Sequence, residues 1–210
     1  MLIHDDHPDF DGLIAAGDVV AYFGYGSLVN RRTLRTKFLG IRRASVRGWR
    51  RFWLPRGVPP VALLSVKPDG DHVTQGVVVY DRADHLPAVD EREAGYTRRR
   101  VDPAAVDIEA LPAPDVPLFI YEANRNEPDA ADLDCRILQS YLDAVLQGFL
   151  ALYGEDGVRR FVDETEGFEA KVLCDRAAPL YPRSVEIGAQ EGELFDALVQ
   201  DRGATFVSAA

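Results

Sequence analysis

The order of strand-like and helix-like segments constrains the fold of this chain more than any other feature. Segments rich in β-branched or aromatic residues, bounded by Gly, Pro or Asp, are concentrated before residue 122. They cover residues 19–23, 44–52, 61–66, 73–80, 96–101 and 116–121. Strands that precede helices favour an α+β fold over repeated βαβ units. Segments of this number could close a barrel.

Helical patterns begin at about residue 130, where apolar residues recur at every fourth position and Gly154 offers a C-terminal stop. The apolar residues are Leu133, Ile137, Tyr141, Val145 and Phe149. Shorter helices are indicated at 158–165 and 191–199, and residues 175–183, with two prolines and flanking arginines, indicate an ordered loop. No internal repeat is visible, so we expect a single domain over residues 1–210 with a helical C-terminal part.

The composition excludes several classes of function. A formal net charge of −10 argues against a polyanionic partner, because phosphate backbones are bound by clustered Lys and Arg, so we expect no nucleic-acid partner. The acidic start lacks the features of a secretory signal, and no stretch approaches the ~18 apolar residues of a membrane span. Cys135 and Cys174 lack Cys-x-x-Cys spacing and are interpreted as reduced thiols. We therefore expect a cytoplasmic protein.

A glycine-containing turn follows the first strand-like segment. Gly24, Tyr25, Gly26 and Ser27 separate residues 19–23 from a helix-like segment at 30–35. Glycines let the backbone approach a ligand closely, and the free N–H groups of a turn and a helix start favour an anion such as a carboxylate. The pattern lacks the further residues of a dinucleotide fingerprint, a phosphate loop or a nucleophile elbow. A tight strand exit without a ligand is the alternative interpretation.

Glu93 is an acidic residue on the apolar side of a predicted helix. The helix has Asp84 as its N-cap, Pro87 in its first turn and Gly95 as its stop. Glu93 follows Leu86 by seven positions and Val89 by four, so all three share a face that we expect to point inward. A carboxylate at the edge of a core is suited to proton transfer, because burial raises its pKa. An ion pair with Arg98, Arg99 or Arg100 is the structural alternative.

These two features together resemble the γ-glutamylcyclotransferase superfamily, including its ChaC-type branch. Residues 23–28 (Phe-Gly-Tyr-Gly-Ser-Leu) resemble its N-terminal substrate loop, and residues 90–96 (Asp-Glu-Arg-Glu-Ala-Gly-Tyr) resemble the end of its acid/base helix. Residues 76–80 and 119–121 resemble strands that line its cavity. Leu28 and residues 46–53 are similar to the ChaC-type branch, but residues 54–60 replace the His-Arg-Gly-Thr signature expected there.

The resemblance implies a small mixed β-barrel with surrounding helices. It also implies an enzyme that cyclises a γ-glutamyl amide or peptide to 5-oxoproline without a metal or cofactor. Glu93 would be the catalytic acid/base. The substrate-binding residues would be Tyr22, Gly24, Tyr25, Gly26, Ser27, Leu28, Tyr96 and Tyr121. From the residues alone, each tyrosine could instead be a core aromatic with one satisfied hydroxyl.

Three other functions stay open at the level of sequence. A metal-dependent enzyme would need a ligand cluster, and the one closely spaced histidine pair is His4 and His7, in an acidic segment. A serine hydrolase would need His72 or His85 beside Ser27. A binding or regulatory module without turnover would keep the same cavity and has the same sequence features.

Overall fold

The computed structural model describes residues 6–34, 37–56, 60–109, 115–123 and 135–208. The helices are α1 (Phe10–Ala16), α2 (Leu86–Arg92), α3 (Gln139–Glu164) and α4 (Ala189–Asp201). The strands are β1 (Val19–Gly24), β2 (Gly40–Arg56), β3 (Val61–Arg82), β4 (Tyr96–Arg100), β5 (Val106–Ile108), β6 (Leu118–Ala123), β7 (Arg136–Leu138), β8 (Lys171–Cys174) and β9 (Thr205–Ser208). These elements confirm a mixed-sheet α+β fold.

The described residues fall into two compact units. The first comprises Met1–Tyr25, Leu34–Arg50 and Val66–Asn124, and the second comprises Gly26–Thr33, Arg51–Ser65 and Arg125–Ala210. Both β2 and β3 run through a boundary between units along the chain. A single domain over residues 1–210 stays a prediction.

β1 lies at the centre of the sheet in the first unit. It pairs antiparallel with β3, from Val19 opposite Arg82 to Gly24 opposite Val77, and parallel with β6 on its other side. β6 in turn pairs antiparallel with β4. All residues of β1 are buried, as the continuous apolar run of residues 19–23 predicted.

β3 joins two segments that the sequence separates. Residues 67–72 contain Pro68 and Gly70, which are typical of a turn, yet the strand continues through them. Two contacts with β2 support this region: the Arg50 guanidinium pairs with the Asp69 carboxylate at 2.6 Å, and the Thr74 hydroxyl donates to the Trp49 carbonyl at 2.6 Å. Pairing with a neighbouring strand therefore overrides the local turn propensity.

The second unit contains two consecutive βαβ connections that the sequence did not indicate. β7 pairs parallel with β8, and β8 pairs parallel with β9. α3 connects the first pair along the chain and α4 connects the second. The core of this unit includes Phe149, Phe161 and Phe168, and the fully buried Arg51 guanidinium stacks over the rings of Phe149 and Phe161.

The prediction of a helix from about residue 130 was wrong for the first residues of the pattern. Ile137 lies in β7, and α3 begins at Gln139, while Leu133 is outside the described residues. A spacing of four residues also puts side chains on one face of a strand, so it did not distinguish a helix from a strand. Gly154 does interrupt α3, with φ 69° and ψ −169°, and a second helical stretch continues to Glu164. The expected shorter helix at 158–165 is that second stretch.

Other local expectations had mixed outcomes. α4 confirms the predicted helix at 191–199, and Cys135 and Cys174 are both free thiols. Residues 31–33 form only a short 3₁₀ turn, and Arg35 is outside the described residues. Across the described residues, no helix has both the length and the apolar character needed to span a membrane.

Gly148 offers a test of the packing of α3 against the turn that follows Gly26. A Cβ at Gly148 would lie 2.7 Å from Val29 Cγ2 and 2.8 Å from the backbone nitrogen of Asn30. Overpacking of this kind costs about 1–3 kcal/mol, and alanine restores up to about 1 kcal/mol of helix propensity. We expect Gly148→Ala to lower the free energy of unfolding by about 1–2 kcal/mol, measured by urea denaturation.

Gly70→Ala is the matched control for this substitution. No described atom lies within 4 Å of a Cβ at Gly70, and its φ is not positive. We expect a change within about 0.5 kcal/mol. Equal stability of the two variants would contradict the tight contact at Gly148.

Candidate active site

Tyr22 anchors a polar cluster in the first unit. It lies on β1 opposite Val79, so Asp81, two residues further along β3, is its diagonal neighbour on the same face. The buried Tyr22 hydroxyl donates to Asp81 Oδ2 at 3.2 Å. Burial and the negative charge of Asp81 raise the pKa of Tyr22 well above its usual range. Asp81 Oδ1 also accepts from the backbone N–H of Arg82 at 2.8 Å and contacts His85 Nδ1 at 2.8 Å.

Tyr121 forms a second buried tyrosine–carboxylate contact. It lies on β6 opposite Arg98 of β4, and its hydroxyl donates to Asp90 Oδ1 at 2.7 Å. Arg98 Nη1 lies 3.4 Å from the other oxygen of Asp90. Burial and the hydrogen bond to Asp90 raise the pKa of Tyr121, and the negative charge of Glu93 acts in the same direction. The Glu93 carboxylate is therefore within electrostatic range of the Tyr121 hydroxyl.

Glu93 follows directly after α2, at the edge of the first unit's core. Its backbone N–H donates to the Val89 carbonyl at 2.9 Å, and Val89 is buried, as the shared face predicted. The Glu93 side chain is 28% exposed. Arg92 Nε donates to Glu93 Oε1 at 3.0 Å, and among the described residues Oε2 has no hydrogen-bond partner. The carboxylate is thus oriented through one oxygen and open at the other.

The predicted alternative, an ion pair of Glu93 with Arg98, Arg99 or Arg100, was wrong. Arg98 pairs with Asp90, and Arg99 pairs with Glu122 at 3.1 Å. Among the described residues, the ion pair that Glu93 forms is with its own neighbour, Arg92, at 3.0 Å.

The start of α2 also differs from the expectation. Residues 83–85 form a 3₁₀ turn, His85 is the N-cap, and no side chain caps the helix, so Asp84 was wrongly assigned as the N-cap. Pro87 lies in the first turn as predicted. Gly95 has φ 97°, a conformation that favours glycine, and so permits the turn into β4.

The remaining predicted residues of the first unit lie close to the two buried tyrosines. Gly24 ends β1, and the Tyr25 hydroxyl donates to the Tyr121 carbonyl at 2.7 Å. The rings of Tyr22 and Tyr121 meet edge to face, with centroids 6.4 Å apart. Tyr96 starts β4, and its backbone N–H donates to the Glu93 carbonyl at 2.9 Å. The structure therefore brings together Tyr22, Tyr121 and Glu93 within one unit, with Tyr25 and Tyr96 adjacent.

Gly26, Ser27 and Leu28 belong to the second unit. Residues 27–29 form one 3₁₀ turn, and the Ser27 carbonyl accepts from the Thr33 hydroxyl at 2.6 Å. Among the described residues, the N–H groups of Gly26, Ser27 and Leu28 have no hydrogen-bond acceptor. A Cβ at Gly26 would lie 3.0 Å from the Tyr141 hydroxyl and 3.3 Å from Leu64 Cδ2. Close packing against these two side chains favours glycine here, and the turn presents unpaired donors suited to an anion.

Comparison with known proteins identifies the family. The family model described as gamma-glutamyl cyclotransferase, AIG2-like matches residues 22–136, more than half of the chain. The chain belongs to the AIG2-like γ-glutamylcyclotransferase family. No curated protein matches the sequence.

Solved structures provide a separate comparison for this γ-glutamylcyclotransferase family member. A protein described as gamma-glutamyl cyclotransferase aligns with a TM-score of 0.52 and 10% identity, over 86% of this chain and 99% of its own. YkqA from Bacillus subtilis aligns with a TM-score of 0.47 and 20% identity, over 74% of this chain and 59% of its own. A yeast γ-glutamyl cyclotransferase specific to glutathione aligns with a TM-score of 0.43 and 16% identity, over 89% and 97% respectively. The first likeness shows a shared fold.

Sequence reasoning missed two carboxylates of this family member. Asp81 and Asp90 hold the hydroxyls of Tyr22 and Tyr121. The available signal was weak: Asp81 directly follows the apolar run 77–80, and Asp90 lies one helical turn before Glu93. Among the described residues, no group of three or more His, Cys, Asp or Glu side chains is arranged to hold a metal ion.

The buried tyrosines predict an unusual alkaline titration. Burial raises the pKa of Tyr80 to about 12 and raises those of Tyr22 and Tyr121 further. Because the fold retains these protons more tightly than the unfolded chain, stability is complete below pH ~10 and falls as the pH rises above it. We expect the ultraviolet absorbance of tyrosinate to rise in two phases, the later one coinciding with unfolding.

Tyr22→Phe and Tyr121→Phe test which side chains titrate late. Each should reduce the amplitude of the late phase and leave the early phase unchanged. An unchanged late phase in both variants would contradict the burial of these hydroxyls.

Proposed function

We propose that this family member converts a γ-glutamyl amide or peptide into 5-oxoproline and releases an amine or amino acid, with Glu93 as the general acid/base. The observation that carries the proposal is the Glu93 carboxylate at the core edge, oriented by Arg92 through Oε1 and open at Oε2. An open, oriented carboxylate is what proton transfer requires. The family match supplies the class of reaction, and the residue roles rest on the resemblance of residues 23–28 and 90–96 together with this geometry.

The proposed reaction is an intramolecular acyl transfer. The α-ammonium group of the substrate loses a proton to Glu93, and the resulting amine attacks the γ-carbonyl carbon. As the C–N bond to the leaving group breaks, Glu93 gives this proton to the departing nitrogen, and the ring nitrogen releases its second proton to water, so that a neutral lactam and a free amine result. Well-oriented intramolecular attack reaches effective molarities of about 10⁵–10⁸ M, so holding the substrate folded is the main catalytic task.

The polar groups of the first unit divide into supporting and reacting roles. Asp81 and Asp90 are occupied by Tyr22 and Tyr121, so both are better suited to fixing the tyrosines than to moving protons. Burial keeps both phenols protonated at neutral pH, and their oxygens can accept hydrogen bonds from the substrate ammonium. We assign Tyr22 and Tyr121 to substrate binding, with Tyr25 and Tyr96 as adjacent supports.

The role of the turn at Gly26, Ser27 and Leu28 rests on its unpaired N–H groups and on the resemblance of its sequence. Such donors can hold the substrate carboxylate or stabilise the oxyanion that forms during attack. Ser27 is assigned as a backbone donor and not as a nucleophile, because its N–H group is unpaired and no histidine of the described residues contacts its hydroxyl. Glutathione specificity, a ChaC-type assignment and a cytoplasmic location stay predictions.

Glu93→Gln tests the central assignment. The amide keeps the shape of the side chain but cannot carry a proton, so we expect kcat to fall by about 10²–10⁴-fold while the protein stays folded. Release of 5-oxoproline from γ-glutamyl-alanine, glutathione and γ-glutamyl-ε-lysine provides the measurement.

Glu91→Gln is the matched control, because Glu91 is exposed on the same helix. It should retain the activity of the original protein. Full activity in Glu93→Gln would remove Glu93 from the mechanism, and binding of the γ-glutamyl compounds without product in the original protein would favour a module without turnover.

A further inference from the structure

A histidine just before α2 extends the contact between Tyr22 and Asp81 to the surface of the first unit. His85 ends the 3₁₀ turn that precedes α2, and its Nδ1 lies 2.8 Å from Asp81 Oδ1. The other oxygen, Asp81 Oδ2, accepts from the Tyr22 hydroxyl at 3.2 Å. The side chains of His85 and Asp81 are 51% and 6% exposed, and Tyr22 is buried. One carboxylate therefore connects a half-exposed imidazole with a buried phenol, and all three residues belong to the first unit.

The carboxylate sets the direction of both hydrogen bonds. An ionised carboxylate has no hydrogen to donate, so the Tyr22 O–H and the His85 Nδ1–H are both donors to Asp81. For His85 this holds for the charged ring and for the neutral ring with its hydrogen on Nδ1. Because the Tyr22 hydroxyl directs its single hydrogen to Asp81, the phenol oxygen is left as an acceptor. Among the described residues, no donor reaches that oxygen.

His85 contributes to the orientation of the Asp81 carboxylate. Asp81 Oδ1 has two donors, the backbone N–H of Arg82 at 2.8 Å and His85 Nδ1 at 2.8 Å. Two donors on one oxygen fix the plane of the carboxylate, so that Oδ2 stays directed at Tyr22. Without the imidazole, one backbone hydrogen bond would hold Oδ1, and the carboxylate would rotate more freely about its Cβ–Cγ bond. The His85 side chain does not cap α2, so its ring is not used to start the helix.

The Tyr22 phenol is also within electrostatic range of the arginine that contacts Glu93. Burial raises the pKa of Tyr22 most strongly, and the positive charge of Arg92 acts in the opposite direction. The same Arg92 guanidinium donates to Glu93 Oε1 at 3.0 Å. The contacts that begin at His85 therefore lead to a phenol close to the partner of the proposed acid/base residue.

We infer that His85 is a positioning residue, which holds Asp81 so that the Tyr22 oxygen is presented to the substrate as a hydrogen-bond acceptor. This inference rests on the proposed function, in which Tyr22 binds the substrate ammonium. His85 acts only through Asp81 and takes no part in proton transfer. Loss of the Nδ1 donor therefore weakens substrate binding and leaves the acid/base chemistry of Glu93 intact.

His85→Ala and His85→Asn test the inference in the full-length protein. Alanine removes the donor, whereas the asparagine Nδ2 is as many bonds from the backbone as the histidine Nδ1 and can donate to Asp81 without a ring. Kinetics are measured with whichever of γ-glutamyl-alanine, glutathione and γ-glutamyl-ε-lysine is converted fastest. We expect His85→Ala to raise KM by about three- to tenfold and to leave kcat within about twofold, because one hydrogen bond contributes on this scale. His85→Asn should restore most of the original KM.

Asp84→Ala is the matched control on the same turn. It removes the ion pair with Arg82 at 3.2 Å and a contact of 4.0 Å with His85 Nε2, but it leaves the Nδ1 contact with Asp81 in place, so KM should not change. In a Tyr22→Phe background, His85→Ala should raise KM no further, because both substitutions remove the same interaction. Additive increases in KM, equal KM values for His85→Ala and the original protein, or no recovery in His85→Asn would overturn the inference.

Proton NMR of the Tyr22 hydroxyl distinguishes this inference from the proposed function. Its resonance, identified by its loss in Tyr22→Phe, should exchange with water faster in His85→Ala and at the original rate in His85→Asn. If no γ-glutamyl compound yields 5-oxoproline, the proposed function fails, and this exchange pattern would still support the positioning of Tyr22 by His85. Equal exchange rates in all of these His85 variants would overturn the inference, with or without turnover. His85→Phe, which keeps a ring without the donor, replaces His85→Ala if the alanine variant does not fold.

Discussion

The antiparallel register of β1 and β3 is the constraint on which the rest of the first unit depends. It places the Tyr22 hydroxyl beside Asp81, inside the protein, where an unpaired phenol or carboxylate would cost free energy. A shift of one residue would turn every side chain of β1 to the other face and break this contact. Asp81 also contacts Arg82 and His85, at the start of the turn that leads into α2. The same register therefore positions α2, the helix that directly precedes Glu93.

Three carboxylates of the first unit differ in what they contact. Asp81 and Asp90 each accept a hydrogen bond from a buried tyrosine, whereas the side-chain hydrogen bond of Glu93 among the described residues comes from the neighbouring Arg92. This difference is the reason that proton transfer is proposed for Glu93 and a positioning role for the two aspartates.

The second unit is built on a different principle, with parallel strands joined by helices. α3 contributes Asp143 and Ser140 to the anchoring of the segment after β8, and Gly148 to close packing against Asn30. Asn30 donates to the Ala144 carbonyl at 2.7 Å, so one helix contacts both the turn after Gly26 and the segment after β8.

The sequence by itself determined the elements whose patterns have one physical solution. The apolar run at 19–23 favoured a buried strand, Gly154 interrupted a helix because it adopts a positive φ, and the paired motifs around Gly26 and Glu93 indicated the family. Tertiary structure decided what local patterns leave open. A spacing of four residues fits one face of a helix and one face of a strand, and the fold places Ile137 in a strand. Residues 67–72 stay in a strand because β2 pairs alongside them. The partners of Tyr22, Tyr121 and Glu93 depend on strand register and on where α2 ends, and neither quantity is encoded in neighbouring residues alone.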